Sequence, residues 1–505
     1  MKRDEFKERY VIKLASSVLL VILNAFIQLI LPRAFSVEEY GYYTYNLNVF
    51  MSVVNIATLS TQSALVSKLS KRNEEIGLIL FYLKFYLIMA LVLNLAVIGL
   101  YISGFLQNTF VGQTLFIILL GLEAAIILRL QTDSIGIFDA LAVSRFPAVM
   151  QIILKAGICL AVLISYLVGQ LNLACFYIIQ ILMTFIITFS MLYEIIKDQK
   201  RKYSTRVDRG NRIYIKEFWK FCKPLILSNV VSQMIVILMN WSLMNWAGVV
   251  EQAIFGAAWQ LNALVSYIFS PYAELSKREF AVICNDIGEL KYRYIQSLKL
   301  MMWIISYFAI FIGFVSEWLL PVVYGDKYAG ATMVTILIMF YTVYQAWGQI
   351  SGAFLLATER TKISAALAVM GQLITFGLVF VFQIPNFIWP AGLGALGIAL
   401  TYLVSNILSV SISLYVNSKI LKTVFWNNYS IQILPISLCS ITAILLKCAI
   451  DHLWNGNSTI VLIGKLLIAG ILYTAVIGII VWMKPEQLGV TKENLRRMIR
   501  KINKD

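Results

Sequence analysis

Histidine occurs once in this 505-residue chain, at His452, and charged residues make up only 13% of it. A single imidazole leaves no His-Glu-x-x-His metal site. No phosphate-cradling Gly-x-x-x-x-Gly-Lys loop or Gly-x-Ser-x-Gly elbow is present either. The six cysteines, Cys159, Cys175, Cys222, Cys284, Cys439 and Cys448, have neither metal-ligand spacing nor a pairing framework, so they read as reduced packing residues. A membrane glycosyltransferase or polymerase needs acidic residues in a substantial loop, and the short loops predicted below offer no such place. The chain reads as a non-enzyme with no metal or organic cofactor.

What the sequence does have is apolar length. It is 60% hydrophobic, with a mean hydropathy of +0.79, too apolar for a surface that must stay wet. Crossing a hydrocarbon core of roughly 30 Å takes about 20 apolar residues in a helix, which satisfies its own backbone polar groups where lipid cannot. Fourteen runs meet that description: Ile12 to Leu31, Tyr42 to Leu65, Gly77 to Tyr101, Gln113 to Leu130, Phe146 to Leu167, Leu171 to Glu194, Pro224 to Trp246, Val250 to Leu275, Gln296 to Leu320, Ala329 to Ala357, Ile363 to Ile384, Gly392 to Val416, Ile431 to Ile450 and Thr459 to Met483. The predicted fold class is an all-α integral membrane protein of about fourteen transmembrane helices.

An even number of crossings puts both termini on one side. Threaded this way, nearly all of the 42 Lys and Arg residues fall on the side of the termini, which the positive-inside rule makes cytoplasmic. Only Arg33 and Lys327 fall outside; Lys84, Lys155, Lys447 and Lys465 fall well within runs, while Lys13, Arg129 and Lys299, within a few residues of a run's cytoplasmic end, count with that side. The net charge of +16 therefore reflects membrane topology and does not imply a nucleic-acid partner. The leading Lys2, Arg3, Lys7 and Arg9 resemble a signal peptide, but the run behind them is too long and reads as a first helix.

Residues 1–194 form a predicted six-helix lobe, 195–223 a basic cytoplasmic linker, 224–416 a second six-helix lobe, 431–483 helices thirteen and fourteen, and 484–505 a basic tail. The linker is either a solvated connection or a surface for anionic lipid headgroups. A faint internal echo relates Glu39, Gly41 and Tyr42 to Glu251, Ala253 and Ile254, as in transporters built from repeats.

Ionisable residues at membrane depth are costly, which makes each a functional candidate. Lys84, Glu123 and Lys155 lie at similar depth. They form either a cationic pocket for anions or a buried Lys84–Glu123 pair with Lys155 snorkelling to the headgroups. Lys447 and Asp451 are four residues apart and suggest a local pair, with Lys465 facing them. Polar pairs at helical spacing, Asn24 with Gln28, Asn229 with Gln233, and Gln345 with Gln349, joined by Asn55, Asn240 and Asn406, either line a hydrophilic cavity or bond between helices. Trp246, Trp318, Trp389, Trp454 and Trp482 read as interfacial anchors.

Several segments resemble a known family. Leu31-Pro32-Arg33 followed by Glu38-Glu39-Tyr40-Gly41 and Tyr43 is similar to the first hairpin of Wzx-type polysaccharide flippases of the MOP superfamily. Tyr324-Gly325 with Tyr328, Ala357 with Arg360 and Lys362, and Gly392, Gly394, Ala395 and Gly397 are similar to later segments of the same family. The resemblance implies two six-helix bundles forming a V-shaped cavity, with helices thirteen and fourteen making a lipid groove along Lys447 and Lys465. The implied substrate is an undecaprenyl-pyrophosphate-linked oligosaccharide repeat unit, moved across a bacterial cytoplasmic membrane by alternating access for surface polysaccharide biosynthesis. Lys84, Lys155 and Arg33 would attract the pyrophosphate, the polar stripes would meet the glycan, and Glu123 would carry a coupling H+ or Na+. Implied partners are membrane lipids, a polysaccharide polymerase and glycosyltransferases. The alternatives are a lipid II flippase, a drug or cation antiporter of the same superfamily, and a non-transporting scaffold of a polysaccharide assembly complex. Two departures stand out. Asn240-Trp241 replaces an acidic residue followed by a basic one late in the seventh helix, and Glu359 replaces the glycine usual before Arg360.

Overall fold

The computed structural model describes residues 6–202, 210–385, 388, 392–454, 456, 458–483 and 485–488. Lys2 and Arg3, Trp389 and most of the basic tail lie outside them. The described residues fold as helices: α1 Phe6–Ala34, α2 Val37–Ala57, α3 Thr61–Lys71, α4 Ile76–Ile102, α5 Phe105–Thr109, α6 Leu115–Ala140, α7 Arg145–Leu167, α8 Leu173–Lys202, α9 Asn211–Ser242, α10 Val249–Val282, α11 Ile287–Phe314, α12 Ser316–Tyr324, α13 Thr332–Ala357, α14 Thr361–Gln383, α15 Gly394–Ile420, α16 Phe425–Leu453 and α17 Thr459–Met483.

Each of the fourteen apolar runs lies on helix, but fourteen spans are not counted. Eleven helices among the described residues are long and apolar enough to cross a membrane, and α2 with α3, bent by 55°, makes a twelfth if taken as one span. Of α1, the stretch Leu19–Ala34 counts as a shorter apolar helix. The protein is an all-α multi-pass membrane protein. Lipid is the natural neighbour of its exposed leucines and isoleucines, such as Leu87, Ile88 and Leu91 on α4 and Leu467 and Ile471 on α17. The polar stretch 195–223 is largely helical, because α8 continues to Lys202 and α9 starts at Asn211.

The chain divides into two compact units, Met1–Ala253 and Ile254–Asp505, so α9 packs with the first. In that unit Tyr45, Phe50, Leu65, Leu78, Tyr82, Leu122 and Phe138 form the core, and α2 is packed by α6 and α9. In the second, α13 lies between α11 and α15, with Trp347, Leu298 and Leu414 fully buried.

The segments that carry the family resemblance are structural. Ser36 caps α2, accepting from Glu39 N at 3.0 Å while its own N donates to Glu39 Oε2 at 3.1 Å. This reciprocal box satisfies two orphan donors of the first turn. Tyr40 and Tyr43 are buried, Tyr43 edge-on to Phe35 of α1's end and to Phe176 of α8. A Cβ at Gly41 would lie 2.3 Å from the Val249 carbonyl oxygen, a backbone atom, so only glycine admits that approach. Gly325 has φ +89 and Gly392 φ +68, and a Cβ at Gly397 would meet the Phe382 carbonyl oxygen at 2.8 Å.

The departure at Glu359 has a conformational consequence. This residue closes α13 with φ +57, in the left-handed region where an L side chain crowds the carbonyl at a cost of about 1–2 kcal/mol. Glycine avoids that cost but loses about 0.5–1 kcal/mol of chain entropy. Glu359→Gly is therefore expected to stabilise the protein by about 0.5–1 kcal/mol, read as a raised melting temperature of the detergent-purified chain.

Candidate functional site

Burying a guanidinium in a helix bundle requires partners for its five N–H donors. The first unit half-buries one at Arg129. The count of basic residues along the sequence places Arg129 with the cytoplasmic flank at the end of the fourth apolar run, but α6 continues to Ala140 and holds it against α2 and α3. Four residues on, and so on the same helical face, stands Asp133, which is fully buried.

The break between α2 and α3 supplies the other partners. Leu59 and Ser60 take positive φ angles of 51 and 59, and the Thr58 and Thr61 hydroxyls donate to the carbonyls of Asn55 and Thr58 at 2.9 and 2.6 Å. These bonds fix the bend. Gly136 of α6 lets α3 come close, since a Cβ there would sit 3.1 Å from Gln62 Nε2. Asn55 and Gln62, on either side of the bend, thus converge on α6. Arg129 Nη1 donates to Asn55 Oδ1 at 2.8 Å and Nη2 to Gln62 Oε1 at 2.9 Å. Its Nε lies 3.1 Å from Asp133 Oδ1, near enough for an ion pair but too bent for a hydrogen bond. Tyr82 of α4 donates to Asp133 Oδ2 at 2.5 Å.

A polar seam runs from this centre along α2 and α9. Asn229 Nδ2 donates to the Asn55 carbonyl at 2.9 Å, and Asn55 Nδ2 to Gln233 Oε1 at 3.5 Å. Further along, Asn240 Oδ1 accepts from Asn48 at 3.1 Å and from Gln252 at 3.0 Å. The position where the family pattern is acidic is thus a neutral acceptor here, followed by a wide-turned π-helical segment, Leu243–Ala247.

The other residues singled out from sequence are more dispersed. Lys84 is exposed, on the α4 face that bears Leu87, Ile88 and Leu91. It does not pair with Glu123, which instead accepts from Asn94 Nδ2 at 2.7 Å. Lys155 is half-buried in α7 and makes no ion pair among the described residues. Arg33 is exposed at the end of α1, and Asn24 and Gln28 are half-buried on the same helix. Gln345 and Gln349 lie half-buried in the second unit.

Lys447 and Asp451 do not pair with each other. Lys447 donates to Glu317 at 2.6 Å, and Lys465 to Asp451 Oδ1 at 2.8 Å, where Trp318 Nε1 also donates at 3.1 Å. Lys465 Nζ stands 5.5 Å from the centre of the Trp318 ring. Both lysines therefore help fasten α16 and α17 to α12. Sequence reasoning missed Arg129, Asp133 and Tyr82. The readable signal was Arg129 and Asp133 at i and i+4, spanning the end of an apolar run that was closed too early.

A second charged cluster ties α3 to α9. Glu217 accepts from Arg72 Nη2 at 2.5 Å and Lys68 Nζ at 3.2 Å. Arg72 also pairs with Glu75 at 3.1 Å, whose Oε1 accepts from Tyr214 at 2.9 Å. Among the described residues no three His, Cys, Asp or Glu side chains are grouped to hold a metal ion.

With its broken second helix, long apolar helices in two units and polar centre at Arg129 and Asp133, the chain has the fold of MOP-superfamily transporters. It is similar to the lipid II flippase MurJ in an inward closed conformation, with a TM-score of 0.68, 15% identity, and coverage of 94% of this chain and 98% of that one. It is also similar to an inward-facing multidrug resistance MATE family transporter of the MOP superfamily, at TM-score 0.62 and 14% identity over 82% of this chain and 98% of that one. An outward-facing structure of such a transporter gives 0.55 and 14% over 83% and 97%. No protein-family model matches the chain, and no curated protein matches it by sequence. At these identities the likeness is one of fold, and the Wzx-type resemblance is met at the level of the superfamily fold.

The hydrogen bond from Arg72, with Lys68 beside it, holds the Glu217 carboxyl below its ordinary value. A depressed carboxyl contributes stability above its unfolded pKa and loses it as pH falls through the folded one. Glu217→Gln is thus expected to lower the melting temperature of the purified chain at neutral pH. The gap from wild type is expected to close as the pH drops below the ordinary glutamate range, with thermal melts across pH as the check.

Proposed function

We propose that this chain is a flippase moving an undecaprenyl-pyrophosphate-linked oligosaccharide repeat unit across the cytoplasmic membrane of a bacterium by alternating access, for surface polysaccharide assembly. The observation that carries this reading is the Arg129 fork. Its side chain is 19% exposed and held by two neutral amides and one carboxylate. A guanidinium matches two oxygens of a phosphate as well as those of a carboxylate, so a diphosphate can take the place of Asn55, Gln62 and Asp133 without leaving the cation unpaired.

The anion and Asp133 compete for one guanidinium. Protonation of Asp133 releases Arg129 to the diphosphate, and Tyr82, already bonded to that carboxyl, stays as its partner. On this reading the coupling proton belongs to Asp133, whereas Glu123, the candidate from sequence, is engaged by Asn94. Lys155 adds a second cation in the same unit. The fold supports transport, and the greater share of the chain matched by the lipid II flippase than by the multidrug transporters favours a lipid-borne substrate over a drug or cation. That same match makes a lipid II flippase the second reading. Glycosyltransferases supply such a substrate and a polymerase consumes it.

The test is externalisation of lipid-linked repeat units in cells making Arg129→Lys, Arg129→Gln or Asp133→Asn, with membrane levels of each variant measured alongside. Lysine keeps the charge but not the fork, so Arg129→Lys is expected to cut flux tenfold or more, in line with the roughly 1.5–3 kcal/mol of one hydrogen bond to a charged group, and Arg129→Gln more. Asp133→Asn is expected to flatten the dependence of flux on the proton gradient. Wild-type flux in Arg129→Gln at normal membrane level removes Arg129 from the mechanism. Indifference to every charge variant indicates a scaffold.

A further inference from the structure

The second unit contains an aromatic cluster with unused polar tips. Phe255 and Trp259 of α10, Tyr341 of α13 and Tyr402 of α15 pack with ring centroids 5.6 Å apart for Phe255–Trp259, 4.8 Å for Trp259–Tyr402, 5.7 Å for Trp259–Tyr341 and 5.3 Å for Tyr341–Tyr402. Trp259 and Tyr341 lie nearly parallel, at 29°. Three helices thus present one apolar platform. Phe255 is buried beneath it, while Trp259, Tyr341 and Tyr402 are half-buried.

Tyrosine hydroxyls and tryptophan N–H groups in protein interiors normally find partners. Here Trp259 Nε1, Tyr341 OH and Tyr402 OH make no hydrogen bond to another described residue. The amides beside them are equally idle. Gln345 and Gln349 follow Tyr341 at i+4 and i+8 on one face of α13, and Asn406 follows Tyr402 at i+4 on α15. None of the three is bonded to a described residue, and Gln345 Oε1 is buried without a partner. A buried acceptor left without a partner loses its hydration for nothing, and a ligand's donor relieves that cost. By contrast the Thr342 hydroxyl, next to the cluster, donates to Asn262 Oδ1 at 2.8 Å.

Flat apolar rings edged by free amide and phenol groups fit one chemistry well. A pyranose has an apolar C–H face that lies on an aromatic ring and a rim of hydroxyls that both donate and accept. An organic cation would also stack on such rings, but it calls for a carboxylate. Neither α13 nor α15 contains an acidic residue, and those of α10, Glu251, Glu274 and Glu279, are at least two helical turns from Trp259.

We propose that Trp259, Tyr341 and Tyr402, with the amides of Gln345, Gln349 and Asn406, form a pyranose-binding platform that takes the glycan part of the transported lipid. The assignment of the glycan to a diphosphate lipid rests on the flippase reading above. The rings supply sugar-tolerant stacking, and the amides read the hydroxyl rim.

The test uses the full chain in nanodiscs and two probes, undecaprenyl diphosphate and the same lipid bearing an N-acetylglucosamine disaccharide. Wild type is expected to bind the sugar-bearing lipid about tenfold more tightly than the bare one. Trp259→Ala, and separately Gln345→Ala with Gln349→Ala, are expected to abolish that difference while leaving affinity for the bare lipid unchanged. The glutamines have no partner to lose, so the second variant keeps the fold even if the first does not. Equal binding of both lipids by wild type, or a full sugar preference in the glutamine variant, overturns the platform while leaving the diphosphate reading intact. Failure of wild type to bind either lipid overturns the flippase reading and the platform with it. Binding of tetraphenylphosphonium that is lost in Trp259→Ala, without any sugar preference, makes the cluster a cation site and likewise overturns the proposal.

Discussion

Hydrocarbon offers no hydrogen bonds, so every charge or amide drawn into the bundle must be answered by another group of the protein or by its cargo. That constraint organises the first unit around Arg129. Its fork needs acceptors from more than one helix, and the bend between α2 and α3 brings Asn55 and Gln62 to it while Asp133 comes along its own helix. The break in the second span is thus part of the charge's solvation shell. Asn55 in turn bonds to α9 through Asn229 and Gln233, so a change of partner at the guanidinium is felt along that seam.

In the second unit the constraint is met in part, as at Tyr294, whose hydroxyl meets Ser351 and Asn417 at 3.1 Å each, and at Lys465 with Asp451. What sets Trp259, Tyr341 and Tyr402 apart is that their idle tips gather on one aromatic cluster beside the idle amides of Gln345, Gln349 and Asn406. The first unit carries the Arg129 fork and the second an aromatic cluster edged with amides.

Much of the fold was legible because it follows from local rules. Apolar runs of sufficient length became helices, and Glu39 and the glycines at 41, 325, 392 and 397 serve at a cap, turns and close approaches. The family resemblance rests in part on these residues, which explains why it reports the fold more sharply than any substrate. The precise span count was less legible, since α2 and α3 divide one run and α9 extends well before Leu225. The site was the least legible. Which of several buried charges meet is a matter of helix rotation, and sequence depth alone paired Lys84 with Glu123 and Lys447 with Asp451. In the structure Lys84 faces outward, and Lys447 reaches Glu317 on another helix. Arg129 escaped notice because a charge near the end of an apolar run looks like a flanking loop residue until α6 is seen to continue another three turns.

The claim on which this account turns is that the Arg129 guanidinium exchanges Asp133 for the phosphate oxygens of the cargo. Solid-state NMR of the chain with 15N-labelled arginine, in bilayers loaded with undecaprenyl diphosphate, measures this as nitrogen–phosphorus dipolar dephasing. The account predicts a dephased guanidinium signal that vanishes in Arg129→Lys. A signal that never dephases, or one that persists unchanged in that variant, contradicts it.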